Sequence, residues 1–330
     1  MYSMRYSTRH TGFRRAFGRR ACIALGLIAA VSMLPDPASA TPRKVVTTIA
    51  MIAEPVAWIA QEKADVSSLM GPGTDPHLYR ATRNDIARLA QADLILWNGL
   101  DLEAQLEKTI EKLADRIPVV AVGEVVASEY LQTTPSGKRD PHIWMDPGLW
   151  RAAITRAVEA LKSVDQVNAP FYDQRLDQYL MKLDELDAYA DRVMTTIPET
   201  ARSLVTAHDA FGYFGRRFGL TVYGIQGIST ESEAGLKAIE DLVNLLVAQK
   251  IPSVFVETSV TERHVCALIE GAAARNWEVR IGGTLFSDAM GVRDTYEGSY
   301  IGMIDSNVTT IARALGGDAP SGGATGRLGQ

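Results

Sequence analysis

The 330-residue chain holds 34 Lys+Arg against 39 Asp+Glu; six of the basic residues and one acidic residue fall in the first forty, which leaves 28 against 38, a net charge of −10, on the remaining 290. So acidic a chain is a poor partner for nucleic acid and a better one for cations. Of its two cysteines only Cys266 lies beyond residue 40, which excludes an intrachain disulfide there, and Cys266 reads as a buried apolar filler.

Residues 1–40 read as a signal peptide. Arg5, Arg9, Arg14, Arg15, Arg19 and Arg20 form a basic start, residues 21–34 an apolar run too short to span a bilayer, and Ala38-Ser39-Ala40 a cleavage site. Arg14-Arg15-Ala16-Phe17 matches a twin-arginine export signal only in part, so the ordinary secretory reading is preferred. The mature chain then begins at Thr41, in the periplasm.

A Val/Thr/Ile-rich strand is expected over 44–51, a helix over 55–64 with Pro55 in its first turn, and a second strand over 66–70. Two Gly and two Pro make 71–77 a loop. A helix capped by Asn84, a strand over 94–97, a helix over 102–114 and a short strand over 119–122 follow. Residues 133–139 are polar and loop-like, and 149–161 are helical. Next come Tyr172, Leu176, Tyr179, Leu183, Leu186, Ala190, Val193 and Ile197, spaced four and three alternately. That spacing predicts one helix over 168–198 with a continuous apolar stripe, about 40 Å long. It suits either a coiled-coil seam or a strut between two lobes, and the domain-sized flanks favour the strut. Beyond it, strands are expected over 203–206, 221–225, 253–256 and 279–281. They alternate with helices over 209–218, 234–248, 262–274 and 300–315, and Gly282-Gly283 opens a loop.

The expected fold is therefore α/β: two lobes with parallel sheets, 41–167 and 199–315, joined by one long rigid helix over 168–198, with a cleft between them. The Gly/Ala/Ser-rich stretch 316–330 is expected to be disordered. Four histidines lie beyond residue 40. His77 and His142 share an Asp-Pro-His pattern, in which the Pro stiffens the backbone and the Asp can hold the loop or the second ring nitrogen. His208 falls at a strand-to-helix corner, while His264 sits inside a helix and is given no role. Converging imidazoles suit a transition metal. Glu231 and Glu233 read as solvated loop residues and Asp288 as an ordinary turn residue. No HExxH, CxxC, GxSxG or P-loop is present.

Gly71-Pro72-Gly73-Thr74-Asp75-Pro76-His77-Leu78-Tyr79, Asn98-Gly99-Leu100 and Asp140-Pro141-His142-Ile143-Trp144-Met145-Asp146-Pro147 are motifs of one kind. Together with Ala207-His208-Asp209-Ala210-Phe211-Gly212-Tyr213-Phe214 and Ser287-Asp288-Ala289-Met290-Gly291, in that order, they resemble the solute-binding proteins of bacterial zinc/manganese ABC importers. The resemblance implies a divalent metal held between the lobes by His77, His142, His208 and Asp288. It also implies delivery of that metal to a membrane permease with a cytoplasmic ATPase, by a monomer that is not an enzyme. Three imidazoles and one carboxylate lean to zinc, with manganese as the other candidate. The zinc-type members' His-rich loop has no counterpart in 127–139. The competing expectations are a secreted zinc-dependent hydrolase, an adhesin-like member of the same fold, and a siderophore or vitamin binder with an aromatic cleft.

Overall fold

The structure, a computed structural model, describes residues 41–134 and 137–329. The expected signal peptide lies outside the described residues. Among those residues no helix is long and apolar enough to cross a membrane.

The first lobe is a four-stranded parallel sheet in the order β2-β1-β3-β4, with β1 at Arg43–Thr47, β2 at Ala64–Ser68, β3 at Leu94–Trp97 and β4 at Val119–Ala121. Helices α1 (Ala50–Ala60), α2 (Arg83–Ala90) and α3 (Glu107–Ala114) connect these strands. After α4 (Pro147–Val164) comes the long helix α5, Ala169–Thr195. The second lobe has two parallel pairs. One joins β5 (Ser203–His208) to β6 (Thr221–Gln226), the other β7 (Ser253–Glu257) to β8 (Arg280–Leu285), and β5 lies against β7. Helices α6 (Gly212–Phe218), α7 (Leu236–Gln249), α8 (Arg263–Ala273) and α9 (Tyr300–Ala314) complete it.

All eight stripe residues of α5 are buried, and Tyr189 and Met194 widen the face. The helix packs on α4, α1 and α9, so its seam is filled within the chain and not by a second copy. One core runs from the first sheet through α5 to α6 and α9, while β5–β8, α7 and α8 enclose a second. Glu54 ties three helices together: its Oε2 accepts the Tyr300 N–H at 3.0 Å and the Tyr179 hydroxyl at 3.4 Å.

Several local expectations fail for physical reasons. Pro55 sits in mid-helix, because burial of Met51, Ile52 and Ala53 extends α1 toward its N-terminus and outweighs the lost hydrogen bond. Thr82, not Asn84, caps α2, in a reciprocal bond pair with Asp85. Asn168 precedes α5 but donates to Asp165 instead of capping it. Residues 102–106 form turns, and α3 is correspondingly short. Gly282 and Gly283 lie inside β8, where a Cβ would stand 2.8 Å from the Phe255 ring and 2.4 Å from Thr310, so they are glycine because α9 and β7 press close. Cys266 is exposed, on the outward side of α8 opposite Val265 and Leu268. The stretch 316–329, expected to be disordered, packs against α9: Ala319 is buried, and Ala324 donates to both Asp305 oxygens at 2.9 Å.

Leu183, at the centre of the α5 seam, is almost wholly buried. Leu183→Ala is expected to lower unfolding free energy by about 3 kcal/mol through loss of apolar contact and the cavity left behind. Urea denaturation of the metal-free protein measures it.

Candidate metal centre

Four residues far apart in sequence bring their donor atoms to one buried point. His77 comes from the loop after β2, His142 from the turn before α4, His208 from the last position of β5, and Asp288 from the loop between β8 and α9. Their ligating atoms all lie within 4.8 Å of one another, and all four side chains are buried. His77 Nε2 stands 3.3 Å from His142 Nε2. Asp288 Oδ1 is 3.3 Å from His142 Nε2, while its Oδ2 is 3.1 Å from His208 Nε2 and 3.8 Å from His77 Nε2. His208 Nε2 and both Asp288 oxygens lack a partner in hydrogen-bonding geometry. Donors around a tetrahedral ion at 2.0–2.1 Å are separated by about 3.3–3.4 Å, which is the spacing this cluster shows.

Each imidazole is aimed by its neighbours. His142 Nδ1 is 2.8 Å from Asp140 Oδ1, which also accepts the His142 backbone N–H at 3.0 Å. His208 Nδ1 is 2.5 Å from Glu257 Oε2, whose other oxygen accepts the His208 N–H at 2.9 Å. A carboxylate that takes the Nδ1–H fixes the tautomer and leaves Nε2 free to ligate. The matching Asp75 does a different job. Its Oδ1 accepts the His77 N–H at 2.9 Å, holding the loop, and its Oδ2 accepts the Thr230 hydroxyl at 2.6 Å from the second lobe.

The loops are pinned in turn. Buried Glu103 accepts from the Thr48 hydroxyl and from the N–H groups of Asn98 and Gly99. Burial nevertheless pushes its carboxyl up to about 7, against those hydrogen bonds. Asn98 Nδ2 then donates to Pro141 O at 3.1 Å, beside His142. Trp144 Nε1 donates to Ser287 O at 2.9 Å, and the Tyr213 hydroxyl donates to Asp140 O at 2.8 Å, so each lobe buttresses the other's ligands.

The electrostatics follow from this packing. Burial holds His77 down at about 3, only partly opposed by Asp288. Burial also acts to lower His142, but Asp140 and Asp288 together outweigh it and raise the imidazole to about 9. In His208 burial is outweighed by Glu257 and Asp288, which hold the ring well above its ordinary range. Burial would raise Asp288, yet His208 and His142 bring it well below the carboxylate range. A buried carboxylate facing three imidazoles is arranged for positive charge, whether proton or metal ion.

The structure thus brings together His77, His142, His208 and Asp288, as expected. It leaves His264 aside, paired at 2.6 Å with Glu233. Glu257 was missed in the sequence, where it reads as the end of an apolar strand. The available signal was a carboxylate closing a strand whose other residues are all apolar or small, Ser253-Val254-Phe255-Val256.

Residues 45–314 match the family described as zinc-uptake complex component A, periplasmic. The chain is 42% identical over 305 residues to the zinc-binding protein TroA of Treponema pallidum, covering 92% of this chain and 94% of the relative. It is 40% identical over 273 residues to the manganese-binding lipoprotein MntA of Bacillus subtilis, covering 82% and 89%. Among solved structures, periplasmic zinc-binding TroA superposes with a TM-score of 0.82 at 43% identity, over 83% of this chain and 99% of that one. Fe(III)-bound YtgA of Chlamydia trachomatis gives 0.76 at 29% identity, over 84% and 99%.

Replacing Glu257 by Gln keeps the side-chain size but removes the charge that orients His208. The affinity for zinc is expected to fall about 10- to 100-fold with the fold intact, as read by competition with a chromophoric chelator.

Proposed function

Because this chain belongs to the periplasmic zinc-uptake component A family, we propose that it captures a divalent transition metal through His77, His142, His208 and Asp288 and hands it to an ABC importer. The carrying observation is the buried convergence of three Nε2 atoms and an otherwise unpartnered carboxylate at tetrahedral spacing. The membrane permease, the cytoplasmic ATPase and the periplasmic location come with this reading, as does a monomer. Four protein donors fill a tetrahedral shell and leave no position for an activated water, which supports carriage over a hydrolase chemistry.

Between the candidate metals, three nitrogens and one oxygen favour zinc, and the general affinity order puts zinc above manganese. Both Asp288 oxygens face imidazoles, so a bidentate carboxylate gives the larger coordination number that manganese accepts. Manganese transport through this site then depends on which metal the compartment supplies.

Stripping the protein and titrating zinc against manganese, with bound ions counted by native mass spectrometry, tests the proposal. One ion per chain is expected, with zinc preferred by at least about 100-fold and stoichiometric binding lost in His208→Ala. Absence of stoichiometric binding by either metal overturns it.

The pH dependence has a definite sign. His142 and His208 carry raised imidazole pKa values, so each holds a proton at neutral pH that the incoming ion must displace. Affinity is expected to fall as pH drops from about 9 toward 6, with proton release on zinc loading measurable in a weakly buffered indicator solution. An affinity that is flat across that range excludes the three-histidine site.

A further inference from the structure

The family match stops at residue 314, yet the chain beyond it is built into the fold. Asp305, fully buried on α9, is the anchor. Its two oxygens accept the Ala324 N–H, Oδ2 accepts the Tyr296 hydroxyl at 2.8 Å, and Oδ1 accepts the Thr309 hydroxyl at 3.2 Å. Gly323 has φ +71°, and a Cβ there would stand 2.5 Å from both carboxylate oxygens, so only glycine allows the backbone to seat on Asp305. The Thr325 side chain also hydrogen-bonds the Tyr296 hydroxyl, and the Arg327 guanidinium lies 4.7 Å from the centre of its ring. Further back, Asp318 N–H donates to Thr196 Oγ1 at 2.7 Å, just past the end of α5.

Tyr296 belongs to the loop between β8 and α9, which carries Asp288. That loop is held near its two ends by α9. Asn307 exchanges two hydrogen bonds with the backbone of Phe286, at 2.9 and 2.7 Å, and Asp305 holds Tyr296. The tail therefore contacts the one metal-site loop that bears a carboxylate.

We propose that residues 315–329 form a strap which, through Asp305 and Tyr296, holds the Asp288 loop in place and slows release of the bound ion. This rests on the metal-binding reading above. Tyr296 and Asp305 are positioning residues on this view, and neither touches the ion. Removing the strap leaves Asn307 as the loop's main tie and lets Asp288 leave the ion more often.

The test uses the full-length chain with Gly323→Val, which blocks the seat on Asp305, and Tyr296→Phe, which removes the shared hydroxyl. Zinc release into excess chelator is expected to speed up roughly five- to tenfold in each, the scale of one lost hydrogen bond. Thr196→Ala, which cuts the tail's other tie away from the loop, is expected to leave release unchanged. A strap that only stabilises would lower the thermal midpoint of Gly323→Val and leave the release rate as in wild type, and that result overturns the proposal. Hydrogen exchange of the metal-free proteins is the second measurement. Amides over 286–299 are expected to exchange faster in Gly323→Val, and unchanged exchange overturns the strap even if zinc binding itself fails.

Discussion

A carboxylate and three imidazoles share a place that water does not reach, and the surrounding structure exists to keep them there. Left to themselves such groups would neutralise one another by moving protons or would turn away to find partners. Here they cannot turn. Asp140 and Glu257 hold the far sides of two rings, and Asp75 holds the loop of the third. The backbone around Asn98 is fixed by a buried glutamate. The cost of assembling that cluster is met by two apolar cores, and the larger one reaches across the long helix into both lobes.

That shared core also limits how the lobes can separate. A wide hinge motion would tear α5 from α1, α4 and α9 and expose Tyr172, Tyr179, Leu183 and Leu186. Movement is cheaper in the second lobe, where β7, β8 and α8 close on a smaller core of their own and where the Glu257 and Asp288 ends emerge. Capture and release then become matters of loop displacement over a rigid beam.

The fold was legible where one physical demand wrote the sequence. An apolar stripe on a long helix has a single period, so the eight seam residues could be read directly, as could the Val- and Ile-rich strands. His77, His142 and His208 stood out because imidazoles in Pro- and Gly-rich loops are seldom needed for packing. Asp288 came only from the family resemblance, since a lone Asp before a helix has an ordinary use as a turn former. Glu257 was hidden for the opposite reason: its role depends on the neighbouring strand β5, a contact with no local trace. Pro55, the paired glycines of β8 and the ordered tail were misread because tertiary contact overruled local preference in each. In the tail, composition that spells disorder is also what a chain needs to pass within van der Waals reach of a buried carboxylate.

Trp144 deserves a different description from the structural one given above. Its indole lies edge-on to the His142 ring, with centroids 5.2 Å apart, and its N–H is bonded to the carbonyl preceding Asp288. It is thus a chromophore in contact with a ligand from each lobe. An imidazolium quenches a neighbouring indole and a neutral ring does so less, so its emission responds to the same event that fills the site. The protein carries its own optical gauge of loading, without any attached dye.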